Sequence, residues 1–83
     1  MDGLAKVYCG LDVHKRTVQA HVAKTAGDGR VVERQSRTFT TMIGDLERLA
    51  AWLEEEGCEA VAMESTGSFW KPVYNVLEQG SKA

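Results

Sequence analysis

The 83-residue sequence predicts an α/β domain with the element order β-β-β-α-β-α. Three observations predict it. Apolar and polar residues alternate through roughly the first forty positions, which is the signature of strands with two distinct faces. From Thr40 the apolar spacing becomes that of an amphipathic helix. After Gly57 a short unbroken apolar run precedes the chain's single proline, where a second helix is expected. A helical crossover between strands makes them parallel neighbours, so the fourth strand is expected beside the first.

In the first strand Val7, Cys9, Leu11 and Val13 alternate with Lys6, Tyr8, Gly10 and Asp12. The second, Thr17–Lys24, alternates Val18, Ala20 and Val22 with Thr17, Gln19 and His21, and "AGDGR" at 26–30 supplies the glycines and aspartate of a hairpin turn. The third, Val31–Phe39, is polar and arginine-rich, as suits an edge strand that discourages further pairing. Ile43, Leu46, Leu49, Ala50 and Leu53 define a helix of about four turns, with Thr40 or Thr41 as its cap and Gly57 as its stop. Glu54, Glu55 and Glu56 fall on its solvated end, where they oppose the helix dipole. Ala60–Met63 reads as a strand buried on both faces, and Glu64 closes it as Asp12 closes the first strand. Pro72 cannot continue a helix from before it, so the second helix begins close to it, runs to about Glu78 and stops at Gly80. Its apolar stripe is Trp70, Val73, Tyr74 and Leu77, which places Trp70 in the core or an interface.

A chain of this length makes one small domain with a thin core. The hydrophobic fraction of 43% and charged fraction of 27% are ordinary for a globular domain. No apolar run approaches the roughly 20 residues of a membrane span, and the N-terminus lacks a signal-peptide pattern, so the expected location is cytoplasmic, without a membrane. Cys9 and Cys58 show no metal-binding spacing, and Cys9 reads as a buried free thiol. The net charge of −2 hides an asymmetry: residues 1–37 carry seven Lys/Arg against four Asp/Glu, and residues 38–83 three against eight. Lys15, Arg16, Arg30, Arg34 and Arg37 fall near turns or on the polar strand, either as phosphate contacts or as a solvated face.

Asp12 and Glu64 are the residues that ask for an explanation. On parallel neighbouring strands they emerge at the same end of the sheet, and two carboxylates about 4 Å apart repel by roughly 4 kcal/mol at an effective dielectric of 20. A divalent cation offsets that repulsion, and oxygen ligands that leave room for water suit magnesium or manganese. The structural alternative has Asp12 capping the "VHKRT" turn and Glu64 accepting amide hydrogens from Thr66 and Gly67. His14 lies close enough in sequence to approach a phosphate beside Asp12, whereas His21 reads as a half-exposed strand residue. Ser65, Thr66 and Ser68 have no neighbouring histidine base, which leaves no nucleophile assignment among them.

"VYCGLDVHKRTVQAHV" followed by "AVAMESTGSFWKPVYNVLE" resembles the N-terminal, RuvC-like part of the DEDD transposases of insertion sequences, the group that includes the pilin-gene invertase. The resemblance runs from Val7 to about Glu78. It implies a ribonuclease H-like mixed sheet of order 3-2-1-4-5, truncated here before the fifth strand, with residues 1–83 forming a single domain. It implies four acids that bind magnesium or manganese for DNA cleavage and joining, with Asp12 in the first position and Glu64 in the second. The third and fourth acids and the nucleophilic serine of a separate C-terminal domain lie outside this sequence, so the 83 residues alone are expected to be inactive. The resemblance further implies DNA as partner, a guide RNA, and homo-oligomeric assembly, with His14, Lys15 and Arg16 placed to meet nucleic acid. Two other classes compete. An actin-like or sugar-kinase-type phosphotransferase also ends its first strand in an acid, but follows it with a Gly/Ser/Thr phosphate loop where "HKRT" stands here. A non-catalytic dimerising module requires only that Asp12 and Glu64 diverge or be consumed by internal hydrogen bonds.

Overall fold

Six elements form in the expected order: β1 (Leu4–Val13), β2 (Thr17–Ala26), β3 (Val31–Thr40), α1 (Ile43–Glu55), β4 (Ala60–Ser65) and α2 (Trp70–Gly80). The computed structural model describes residues 4–65 and 67–80. The strands make one mixed sheet of order β3-β2-β1-β4, in which β1 runs antiparallel to β2 and parallel to β4. The hairpin between β2 and β3 closes through Ala26 and Arg30, whose N–H and C=O meet at 2.8 Å, while Asp28 accepts the Arg30 amide at 3.0 Å.

Both helices pack on one face of the sheet, the face to which β1 and β2 turn their single apolar phase. Val7, Cys9, Leu11 and Val13 of β1 join Val18, Ala20 and Val22 of β2 and Phe39 of β3 in a single core with Leu46, Leu49, Trp52, Leu53 and Val73 of the helices. Burying each such aliphatic side chain contributes about 1.5–3 kcal/mol. Burial, and secondarily the neighbouring Cys58, pushes the Cys9 thiol up to about 12; both cysteines are free.

Several expectations need correction. The cap of α1 is Met42, without a side-chain bond of its own; Thr40 Oγ1 instead accepts the Met42 amide and Asp45 reaches back to the Thr40 amide at 2.8 Å. At the other end Gly57 does stop the helix: at φ +73° it lets Cys58 N–H reach the Leu53 carbonyl and its own N–H reach that of Glu54, both at 3.0 Å. Glu56 is not merely solvated. It meets Lys24 of β2 at 2.7 Å and accepts from Gln35, a long-range pair that local sequence does not reveal.

β4 is the larger departure. Its composition suggests an interior strand, yet Ala60, Val61 and Ala62 are exposed and Met63 is only half-buried, because among the described residues β1 is the one strand that pairs with it. In α2 the buried position is Val73, with Val76 and Leu77 partly covered, whereas Trp70 and Tyr74 are 39% and 45% exposed. Trp70 is therefore not in the core. α2 packs mainly on α1 and β4, too narrow a contact to cover its whole apolar stripe, and the two rings pack edge-to-face on each other at 6.0 Å.

Candidate functional site

The register of β1 and β4 sets Asp12 directly opposite Glu64. Strands lie about 4.8 Å apart, and paired residues on parallel neighbours project to the same side, here the face that carries no helix. The row continues across the sheet through Gln19 of β2 to Thr38 of β3. This neighbourhood was not readable from strand ends alone, although the alternation that buries Leu11 and Val13 already puts Asp12 on the opposite face.

Of the capping roles, that of Asp12 is not found. The β1–β2 turn is closed by its backbone, with His14 N–H donating to the Thr17 carbonyl at 2.8 Å. The Asp12 side chain instead faces His14, whose Nε2 stands 3.3 Å from Oδ1, and both side chains are about half exposed at 51% and 50%. That exposure also revises the electrostatic argument. Hydrated carboxylates about 4 Å apart repel by about 1 kcal/mol rather than about 4, so the pair is tolerable without a counter-ion. The role expected of Glu64 toward Thr66 lies outside the described residues; Glu64 itself is exposed. Ser65 points to the helix side, away from the acid row, with a buried hydroxyl that has no hydrogen-bond partner among the described residues.

Lys15 and Arg16 form the exposed tip of the same turn. Their carbonyls are tied to Thr41, which donates its hydroxyl to Lys15 at 3.1 Å and its amide to Arg16 at 3.2 Å, so the loop is fixed while both cationic heads face solvent. The other basic residues do not join them. Arg30 lies in the hairpin turn at the far end, beside Asp28, and Arg37 stacks over the Trp52 ring at 4.9 Å on the helix side. His21 is exposed, as expected, and shares a 2.9 Å hydrogen bond with Ser36.

Two carboxylates on one row, open to solvent, suit a hard cation that keeps most of its waters, since magnesium binds through one or two carboxylates together with phosphate oxygens. Among the described residues, no three His, Cys, Asp or Glu side chains converge into a metal-holding cluster. No described helix is long and apolar enough to cross a membrane.

Comparison with solved structures places the fold. The chain is similar to the crystal structure of the Aquifex aeolicus member of the Ppx/GppA protein family, at 17% identity and a TM-score of 0.62 over 89% of this chain and 31% of that one. A structure of the Aquifex aeolicus PPX-GPPA enzyme matches at 14% identity and a TM-score of 0.55 over 93% and 32%. The chain thus spans about a third of the length of either protein, and at such identities the likeness concerns the fold alone. No curated protein sequence matches significantly. The family model DEDD_Tnp_IS110, described as a transposase, matches residues 9–82, which include both Asp12 and Glu64. With nearly its whole length matched, the chain belongs to this transposase family.

Proposed function

We propose that this chain is the N-terminal part of a DNA transposase or site-specific recombinase, built on a ribonuclease H-like (RuvC-like) sheet, in which Asp12 and Glu64 hold magnesium or manganese against a DNA phosphodiester. The observation that carries this reading is the direct pairing of Asp12 with Glu64 on parallel strands, on the open face of the sheet. A bound divalent ion supplies activation of a water or hydroxyl and charge stabilisation at the leaving oxygen. The chain's own residues bind and orient. Asp12 and Glu64 are the carboxylate ligands, His14 steadies Asp12 through its Nε2 contact, and Lys15 and Arg16 take phosphate charge at the rim. Two acids are half of the family's set, and these 83 residues bind metal at millimolar level or more weakly and do not cleave DNA. Partnership with a guide RNA, self-association through β4, α2 or both, and a cytoplasmic place of action belong to the same reading.

The test is paramagnetic. Manganese added to isotope-labelled protein is expected to broaden the amide signals around Asp12 and Glu64 before any others, and Asp12→Asn is expected to remove that broadening. Broadening that is uniform, or unchanged in Asp12→Asn, contradicts the assignment.

A second reading, an actin-like or sugar-kinase-type phosphotransferase fragment, draws support from the fold likeness to the Ppx/GppA structures. The β1–β2 turn weighs against it, since His14, Lys15, Arg16 and Thr17 stand where a small-residue phosphate loop is needed. Broadening of the same turn by ATP in the absence of metal would favour it.

A further inference from the structure

On the helix side of the sheet, toward the end where β4 begins and away from Asp12 and Glu64, a groove of about 470 Å³ opens between α1, β4 and α2. Leu53, Met63 and Leu77 give it an apolar floor, and Glu54 and Glu59 stand exposed along it. No basic side chain lines it among the described residues. The last turns of both helices reach this groove, and neither of those turns holds a basic residue. The negative ends of two helix dipoles therefore add to the carboxylates. Such a groove suits an apolar group with positive charge beside it.

The chain carries that complement at its other end. Met42 and Ile43 are the most exposed of its large apolar residues, at 72% and 64%. By spacing Ile43 belongs to the stripe that buries Leu46, Leu49 and Leu53, yet it stands open. Single exposed apolar residues are ordinary, whereas here two adjoin a pair of cations. Thr41 donates to the carbonyls of both Lys15 and Arg16, which holds the β1–β2 turn against the start of α1. Asp45 in the first turn of α1 is engaged by the Thr40 amide and by Arg48. The tip is apolar and cationic where the groove is apolar and anionic.

We propose that the tip formed by Met42, Ile43, Lys15 and Arg16 docks into the α1–β4–α2 groove of a second copy of this chain, the apolar side chains against Leu53, Met63 and Leu77 and the cations toward Glu54 and Glu59. Tip and groove lie toward opposite ends of a molecule 40 Å long, so no copy fills its own groove. Because the two surfaces differ, every copy offers both, and assembly runs head to tail into a ring or an open chain rather than stopping at a two-fold pair. The proposal rests on the self-association named above and gives it a surface. Lys15 and Arg16 are also the cations proposed to meet phosphate, so nucleic acid and a second copy compete for the tip.

Sedimentation velocity from low to high micromolar concentration tests it. The wild type is expected to form species larger than a dimer at the upper end, and added salt to return it toward monomer. Lys15→Glu/Arg16→Glu and Glu54→Lys/Glu59→Lys are each expected to stay monomeric. Their equimolar mixture is expected to assemble again, since an acidic tip then meets a basic groove, and that recovery also shows that both variants are folded. Met42→Ser/Ile43→Ser is expected to weaken association about tenfold. Association that persists in both reversed variants overturns the contact while leaving self-association through another part of β4 or α2 standing, and a mixture that stays monomeric overturns it as well. A wild type that is monomeric throughout overturns both. Asp12 and Glu64 are unchanged in every variant, so the metal reading stands or falls separately on its manganese test.

Discussion

Val7, Cys9, Leu11 and Val13 are at most 8% exposed beneath the helices, whereas Tyr8 and Asp12, one residue out of phase on the same strand, stand about half open to water. The covered face is built by volume: aliphatic side chains from β1, β2, α1 and α2 fill one core. The open face is built by access, with a glycine, alanines, hydroxyls and the paired acids where nothing packs. Stability therefore depends on one phase of each strand and the proposed chemistry on the other. Substitutions should separate the two cleanly.

The largest effect is expected on the covered face. Leu49 is fully buried between helix and sheet, and Leu49→Ala is expected to cost about 2–5 kcal/mol in chemical denaturation, a large part of the stability of so small a domain. A loss under about 1 kcal/mol would mean that the core repacks freely, and the contrast between faces would then be weaker than the packing suggests.

A smaller effect belongs to the polar tie between β2 and the end of α1. The hydrogen bond from Lys24 holds the Glu56 carboxyl below the usual range, and the same contact raises Lys24. A depressed carboxylate pKa contributes stability that is present above the unfolded value, near pH 4.3, and is lost as pH falls through the folded one. A raised lysine pKa contributes stability that is lost only at alkaline pH, above the ordinary lysine range. Lys24→Met is expected to lower the thermal midpoint at neutral pH and to flatten its decline below about pH 4.3. An unchanged acid limb in this variant would show that the pair contributes nothing to folding.

Thiol chemistry sharpens the contrast further. Cys9 lies in the core with its pKa raised to about 12, and Cys58, also raised by burial, is only half-buried in the link between α1 and β4. Because the thiolate is the reactive form, iodoacetamide near neutral pH is expected to label Cys58 first and Cys9 only at the rate of unfolding. Equal labelling, read by mass spectrometry, would contradict the burial of the β1 inner face.

Much of this was legible in the sequence. The order of elements follows from periodicity, and the stop at Gly57 from a glycine that the φ there requires. The matched strand-end positions of Asp12 and Glu64 anticipated their pairing. What stayed hidden depends on partners distant in sequence or on neighbours that composition cannot report. Ala60–Met63 is apolar whether or not a strand lies beyond it, so its exposure was invisible. Trp70 and Tyr74 fit a helical stripe, but the number of elements packed against α2 decides how much of that stripe is covered. The Lys24–Glu56 pair joins residues more than thirty positions apart. The hydration of Asp12 was legible in the alternation, since it shares its phase with Lys6, Tyr8 and Gly10.

The central claim is that the open acid row binds a cation and carries no share of the fold. A calorimetric manganese titration of the wild type beside the double variant Asp12→Asn/Glu64→Gln tests it most directly. The account predicts a weak but measurable heat in the wild type that vanishes in the variant, whose denaturation midpoint stays within about 0.5 kcal/mol of the parent, as for other exposed substitutions. Identical heats for the two proteins would contradict it.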